Sequence, residues 1–322
     1  MTDYTVKRNY KGQVLVAAPD APPVTGEWVV SKDGKDYFRT EKGRSDVEPY
    51  SRTSKAGEHL KGSGEALSNF AASMAALGVV MNGSVHSELA TLINEYDGDP
   101  YYKGDDGGWK SGKKRLLEQV DIARKVAGAS SASAKGTEFH KLAEIVNKGK
   151  TPTVVREELK PRLAEYQRRV SKVKFLRQEI LIVNDLIKRA GSIDYLMELP
   201  AGLRTPDGVT HDEPIICAGD LKTGKWDRDY PAGVYAQLFG YAGGFRYNQE
   251  TNERLPLHPN FNDRWAVLVH YPLVVPGSTV EFYWLDMEVG REAALLNKRL
   301  DDMIKYFQST KGKPIHFELE SA

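Results

Sequence analysis

The chain has 322 residues with 45 Lys+Arg against 44 Asp+Glu, a formal charge of +1, and is 40% hydrophobic and 10% aromatic. Those values suit one large domain or two small ones with a real core, and they exclude wholesale disorder. The single cysteine, Cys217, excludes a disulfide framework, a cysteine-rich zinc site and a four-cysteine iron–sulfur cluster, and it suits a reducing compartment. The first ten residues are too polar for a signal-peptide core, and Phe70–Met81 is too short an apolar stretch to span a bilayer. The expectation is a soluble, cytoplasmic globular protein.

Residues 1–53 read as a preamble of short strands and turns, in which Trp28–Val30 and Tyr37–Arg39 flank a hairpin turn at Asp33-Gly34. No function follows from it. Residues 54–135 read as a helical region: Leu67, Phe70, Met74 and Leu77 recur three and four apart, and a further helix is predicted near Lys114–Ala127. A Gly/Asp-rich loop at Asp97–Gly112 and a small-residue linker at Gly128–Gly136 punctuate it.

From 136 to 322 the pattern predicts a core unit. Helices at Thr137–Asn147 and Val155–Lys172 precede strands at Gln178–Asn184, Ser192–Leu199 and Pro214–Leu221. A helix then spans Pro231–Tyr247, followed by strands at Trp265–Tyr271 and Thr279–Met287 and a closing helix at Glu288–Phe307. The fold class is therefore α+β, with a mixed sheet of about five strands flanked by helices and preceded by a mainly helical region.

Charge is balanced globally but not locally. Residues 111–180 hold 17 Lys+Arg against 8 Asp+Glu, a net of +9, which leaves −8 for the remainder. Such segregation makes either a solvated basic face or a surface for a phosphate backbone. Two stretches imitate a phosphate-binding loop, Gly107–Lys113 and Gly219–Lys225, but Lys114 and Trp226 stand where the magnesium-holding hydroxyl is required. The calcium-loop start Asp97-Gly-Asp99 fails because Gly108 occupies the twelfth position.

The chemistry concentrates in Asp220-Leu221-Lys222-Thr223-Gly224, which ends the apolar run Ile215–Ala218. Strand alternation puts Asp220 and Lys222 on one face and Leu221 on the other. The pair is either a strand-end salt bridge or a carboxylate and ammonium aimed into a cleft. Gly191-Ser-Ile-Asp194 lies on a neighbouring strand, with Ile193, Tyr195, Met197 and Leu199 assigned to one face and Ser192, Asp194 and Leu196 to the other. Pairing of the two strands brings Asp194 beside Asp220, and two adjacent carboxylates call for a cation between them. Oxygen ligation with open positions suits magnesium or manganese. Gly136-Thr-Glu-Phe-His140 adds an imidazole at the margin of a helix stripe formed by Phe139, Leu142, Ala143 and Val146.

In this order, Gly-x-x-x-His, Gly-x-x-Asp, Asp-x-Lys-Thr-Gly and Gln237-x-x-x-Tyr241 resemble the RecB-like branch of the PD-(D/E)XK nucleases. Glu179 resembles the glutamate often found on that branch's first core strand. The match covers His140 to Tyr271, less than half of the chain, and the absence of helicase motifs points to a stand-alone, phage-type exonuclease. The resemblance implies a restriction-endonuclease-like core and metal ligation by His140, Asp194, Asp220 and the Leu221 carbonyl. Lys222 positions or deprotonates the attacking water, and Gln237 and Tyr241 brace the site or contact DNA. Arg168, Arg169, Lys172, Lys174 and Arg177 line the DNA approach. The implied cofactor is Mg2+ or Mn2+ without an iron–sulfur cluster. The implied partners are DNA and, by analogy, an annealing or single-strand-binding protein. Two other readings stay open: a catalytically silent DNA- or protein-binding module of this fold, and an endonuclease using the same site. The chain departs from the pattern in lacking the Pro-Asp pair, in using Asp220 for the usual Glu, and in a polar insertion at Gly202–Glu213.

Overall fold

A computed structural model describes residues 5–31, 34–60, 64–101, 110–224 and 231–312. The Asp33 turn position, much of the predicted loop at 97–112 and residues 225–230 lie outside them. The preamble forms β1 (Val14–Ala17), β2 (Gly26–Val30), β3 (Asp36–Thr40) and β4 (Val47–Arg52). β2 and β3 pair as the predicted hairpin, Trp28 opposite Phe38. β1 pairs with β4, and β4 joins the central sheet, so these strands extend the sheet past the five predicted.

Helices α1 (Glu65–Met81), α2 (Gly83–Glu95) and α3 (Lys110–Val126) follow. α1 meets α3 at Gly78, where an added Cβ would lie 1.9 Å from the Ala123 carbonyl oxygen. Of the predicted α1 stripe, Met74 lies one turn from Gly78 and is half-buried, whereas Phe70 and Leu77 stay about half exposed. α4 (Ser131–Asn147) begins inside the predicted linker, because Ser131-Ala-Ser-Ala134 is compatible with helix despite its small side chains. α5 (Lys160–Arg169) is shorter than predicted; a 3₁₀ turn at Glu157–Leu159 precedes it, and Pro161 sits in its first turn, where a missing N–H costs nothing.

The sheet is completed by β5 (Lys174–Asn184), β6 (Arg189–Leu199), β7 (Ile215–Lys222), β8 (Phe245–Tyr247), β9 (Arg254–Leu255), β10 (Trp265–His270) and β11 (Glu281–Asp286). Its order is β11-β10-β7-β6-β5-β8-β9, antiparallel except for β10 with β7 and β4 with β6. This is an α+β molecule with a mixed sheet. α6 (Ala232–Ala242) stops at Gly243-Gly244, five residues earlier than predicted. Gly244 passes so close to β5 that a Cβ would lie 2.5 Å from the Val183 oxygen, and the chain then turns into β8 with Phe245 exposed. α7 (Met287–Ser309) closes the fold, with Asp286 capping it by accepting the Glu288 N–H at 2.8 Å.

Both faces of the central strands are covered, which explains their near-continuous apolar runs. On one face α4 and α5 bury Phe139, Leu142, Leu163 and Tyr166 against Tyr195, Met197, Cys217, Leu221 and Val269. On the other, α6 and α7 bury Leu238, Phe239 and Ala294 against Ile182, Leu196, Ile216, Ala218 and Leu268. Ile193 belongs to this second cluster with Leu196, not to the face of Tyr195 and Met197 as alternation predicts. The pleat is irregular there: Glu179, opposite Asp194 in the β5–β6 register, has φ +51°. Among the described residues no helix is long and apolar enough to cross a membrane.

Candidate active site at a break in the sheet

The edge of β6 changes partner along its length. β7 pairs with it from Leu199↔Ile215 to Tyr195↔Gly219 and then leaves. β7 continues on β10 alone, Asp220 opposite Leu268 and Lys222 opposite His270. At the other end of β6, β4 takes the vacated edge at Arg189 and Ala190. Between the two partners lies a gap spanning 191–194, and Asp194 and Asp220 sit at its β7 lip.

In the gap a side chain replaces the ladder: Asp194 Oδ2 accepts the Leu221 N–H at 2.8 Å. Leu221 anchors in the α4–α5 cluster, which turns Asp220 and Lys222 to the α6 side, as alternation predicts. Lys222 Nζ lies 2.6 Å from Asp220 Oδ2. Gln237, on α6, donates Nε2–H to Asp220 Oδ1 at 2.9 Å and accepts from Lys222 Nζ at 3.2 Å. One amide thus fixes both groups. Tyr241, one turn on, is buried beside Gln237, and its hydroxyl is pushed up by burial and by the Asp220 and Asp194 charges. Gln237 thus bridges Asp220 and Lys222, with Tyr241 packed behind it.

His140 arrives from α4, its Nδ1 3.6 Å from Asp194 Oδ2. Phe139 beside it is fully buried, edge-on to Tyr166 and Tyr271, and locks the helix rotation that aims the imidazole at the gap. Gly136 permits the approach, since a Cβ there would lie 2.6 Å from Thr223 Oγ1. This contact gives the Gly-x-x-x-His spacing a steric meaning, and spacing alone does not reveal it. An open cavity of about 520 Å³ runs past His140, Gly136, Thr223 and Gly224.

Electrostatics set these groups against one another. Burial, then repulsion by Asp220, raises the Asp194 carboxyl well above its ordinary range, with the Leu221 N–H opposing. Burial works against the Lys222 charge, but Asp220 and Asp194 outweigh it and hold the ammonium above its usual value. Burial lowers His140. Glu179 is exposed as a residue, yet loss of water around its carboxyl, then Glu144 and Asp220, raise it. Glu144, on the His140 helix, is a neighbour that motif matching missed.

The donor chemistry suits a hard cation. Asp220 is 2% exposed, with Oδ1 accepting from Gln237 and Oδ2 lying 2.6 Å from the Lys222 ammonium. Asp194 lies beside it, raised by burial and then by the Asp220 charge, and a cation between two such carboxylates would relieve that repulsion. Among the described residues, however, no group of three or more His, Cys, Asp or Glu side chains is gathered closely enough to hold a metal ion by itself. Any ion here must complete its shell with backbone carbonyl and water.

The predicted DNA-lining residues are not brought to this gap. Arg168 and Arg169 pair with Glu165 on their own helix, at 2.5 and 2.9 Å. Lys174 pairs with Glu198 at 2.5 Å, at the far end of β6. Lys172 lines a separate cleft with Leu199 and Trp284. Arg177 opposes Leu196, two residues beyond Asp194, and lies near Arg246. Arg156 likewise pairs with Glu138 and Glu158; of these partners only Glu198 lies outside residues 111–180, so the segment keeps most of its surplus of +9. Compared with protein-family models and with curated proteins, the chain matches none.

Proposed function

We propose that this chain is a metal-dependent deoxyribonuclease of the RecB-like PD-(D/E)XK kind, hydrolysing DNA phosphodiester bonds from an end. The observation that carries this reading is the meeting of Asp194, Asp220, Lys222 and His140 at the break between β6 and β7, with Gln237 bonded to both Asp220 and Lys222. Asp194, Asp220 and the Leu221 carbonyl hold the cation, with His140 on the α4 side. Bound there, Mg2+ or Mn2+ polarises the phosphoryl oxygen and makes water a stronger acid. Lys222, kept charged by its acidic neighbours, turns from Asp220 toward the scissile phosphate and stabilises negative charge developing on it. Gln237 holds Asp220 in place as that exchange occurs. A buried free thiol at Cys217 fits a reducing cytoplasm.

The test uses linear duplex DNA with Mg2+ and closed circular DNA beside it. The wild type should degrade the linear form and spare the circle. Asp220→Ala and Lys222→Ala should each lose at least about a hundredfold in rate, the scale for removing a preorganised charge-stabilising group. Equal digestion by all three refutes the site assignment, and nicking of the circle refutes end-directed cutting.

A further inference from the structure

A second concentration of cations lies across the gap, in the preamble. An open cavity of about 490 Å³ is lined chiefly by Arg8, Tyr10, Lys11, Tyr37 and Arg52, with Asp36 the one carboxylate among its described lining residues. The turn that builds it is tightly specified. Asn9 Oδ1 accepts the N–H groups of Lys11 and Gln13, both at 3.0 Å, and Gly12 takes φ +72°. A Cβ on Gly12 would lie 2.8 Å from the Arg52 guanidinium. The turn leaves Tyr10 71% exposed, edge-on to Tyr37 at 6.4 Å, with Lys11 Nζ 5.5 Å above its ring.

Arg8 and Arg52 converge on one acceptor. Both reach the Gly12 carbonyl oxygen, at 3.5 and 3.4 Å, and neither pairs with a carboxylate among the described residues. Each guanidinium carries five N–H donors, so most have no protein acceptor. Burial and the Arg52 charge push Arg8 below its ordinary value, with Tyr241 opposing. Two like charges held together without an anion form an arrangement that an entering phosphate relieves.

The position relates this cluster to the gap. Arg52 ends β4 at Ala190, four residues along β6 from Asp194, or about 13 Å at strand spacing. Thr53 then wedges between β6 and α6: a Cβ on Gly191 would lie 3.1 Å from its Oγ1, and one on Gly240 would lie 2.4 Å from its Cγ2. Arg8 and Arg52 therefore stand on the β4 lip and Asp194 on the β7 lip. A compact anion such as free phosphate needs enclosure, whereas this surface is open and interleaves cations with an exposed ring, Tyr10, and a half-buried one, Tyr37, the pattern that tracks a single strand.

We propose that Arg8 and Arg52 grip a backbone phosphate of a single-stranded polynucleotide while Tyr10 and Tyr37 stack on its bases. The inference rests on the nuclease reading for which bond the strand presents at Asp194 and Asp220, but the binding itself does not require cleavage. The experiment is fluorescence anisotropy of a labelled oligothymidylate with the full chain in EDTA, titrated with salt and, separately, with inorganic polyphosphate. Arg8→Gln with Arg52→Gln should weaken binding at least tenfold and flatten the slope of log K against log salt by about 0.7, the value for one single-strand phosphate contact. Tyr10→Ala and Tyr37→Ala should each weaken binding about fivefold or more without changing that slope. Unchanged melting temperatures show that the variants fold, and Tyr10 is too exposed to threaten folding. Wild-type affinity and slope in the double arginine variant overturn the proposal. So does loss of affinity in the arginine variants alone with full competition by polyphosphate, which marks a general polyanion surface. If these effects hold while Asp220→Ala digests DNA normally, the cleavage assignment fails and the strand site stands.

Discussion

Gly136→Ala separates the positioning of His140 from stability. The new methyl carbon would sit 2.6 Å from Thr223 Oγ1, where ordinary contact begins at 3.4 Å, so α4 and the Thr223 segment must part by about 0.8 Å. Position 136 lies inside α4, where Ala is favoured over Gly by about 1 kcal/mol; overpacking costs about 1–3 kcal/mol, so stability changes little. Activity has no such compensation. His140 is one turn further on, 3.6 Å from Asp194, and a misplacement near 1 Å costs on the order of a hundredfold. The expected result is a 10- to 100-fold drop in kcat/KM on linear duplex (by about the same reasoning) with Tm within a few degrees of wild type. Thr223→Ala removes the obstructing oxygen, so the double variant should recover most of the loss, a coupling that a cycle of the two substitutions measures directly. Full activity in Gly136→Ala, or no recovery in the double variant, refutes the steric account of this glycine.

Four further outcomes follow from the same structure. Asp194→Asn keeps an acceptor for the Leu221 N–H but removes one of two repelling carboxylates, so metal-free Tm should hold or rise while hydrolysis is lost. A divalent ion at a hundredfold excess over Kd should stabilise the wild type by about 2.7 kcal/mol, and thermal scans with and without EDTA should show that gain missing in Asp194→Asn. Gln237→Ala deletes the shared brace of Asp220 and Lys222 and should lower activity or metal affinity about 10- to 100-fold, with an unchanged circular-dichroism spectrum. Cys217 is fully buried and its thiol is pushed up to about 12 by burial, so thiol reagents should label it only at the rate of unfolding; rapid labelling of the native chain contradicts the packing described.

Alternation carried the sequence reading far where the strands are regular. Asp220 and Lys222 fall on one face and Leu221 on the other because β7 is held flat by β10 up to Lys222. The same rule failed at Ile193, where β6 has lost one neighbour and lies opposite the left-handed Glu179; a period of two cannot register a local break. The boundary of α6 was misread because Val234, Leu238, Tyr241 and Phe245 keep helical spacing, while the close pass of Gly244 against Val183 is a tertiary fact. Where the basic segment's charges lie is likewise a tertiary fact. A charge count already includes Glu165 but not its pairing with Arg168 and Arg169, nor Glu198, which meets Lys174 from outside the segment. The preamble's part in the sheet was invisible because β4 touches β6 through only two residue pairs, more than a hundred positions away in the chain.

A strand-end salt bridge, the alternative for Asp220 and Lys222, makes its own physical demand. Exposed ion pairs cost little because water satisfies whatever the partner does not, and buried ones persist when every lone pair is met. Asp220 is 2% exposed, its two oxygens met by Gln237 and by the Lys222 ammonium, yet it lies beside Asp194, whose carboxyl burial and the Asp220 charge raise. Left-handed backbone at Glu179 adds strain at the same place, on the order of 1–3 kcal/mol for such a residue. These costs coincide at the one stretch of β6 that neither β7 nor β4 covers, while apolar clusters on both faces of the sheet supply the stability to hold them. Local penalties gathered in a single gap, inside an otherwise consistent fold, are the pattern a working site produces, and they favour the proposed site over a strand-end ion pair.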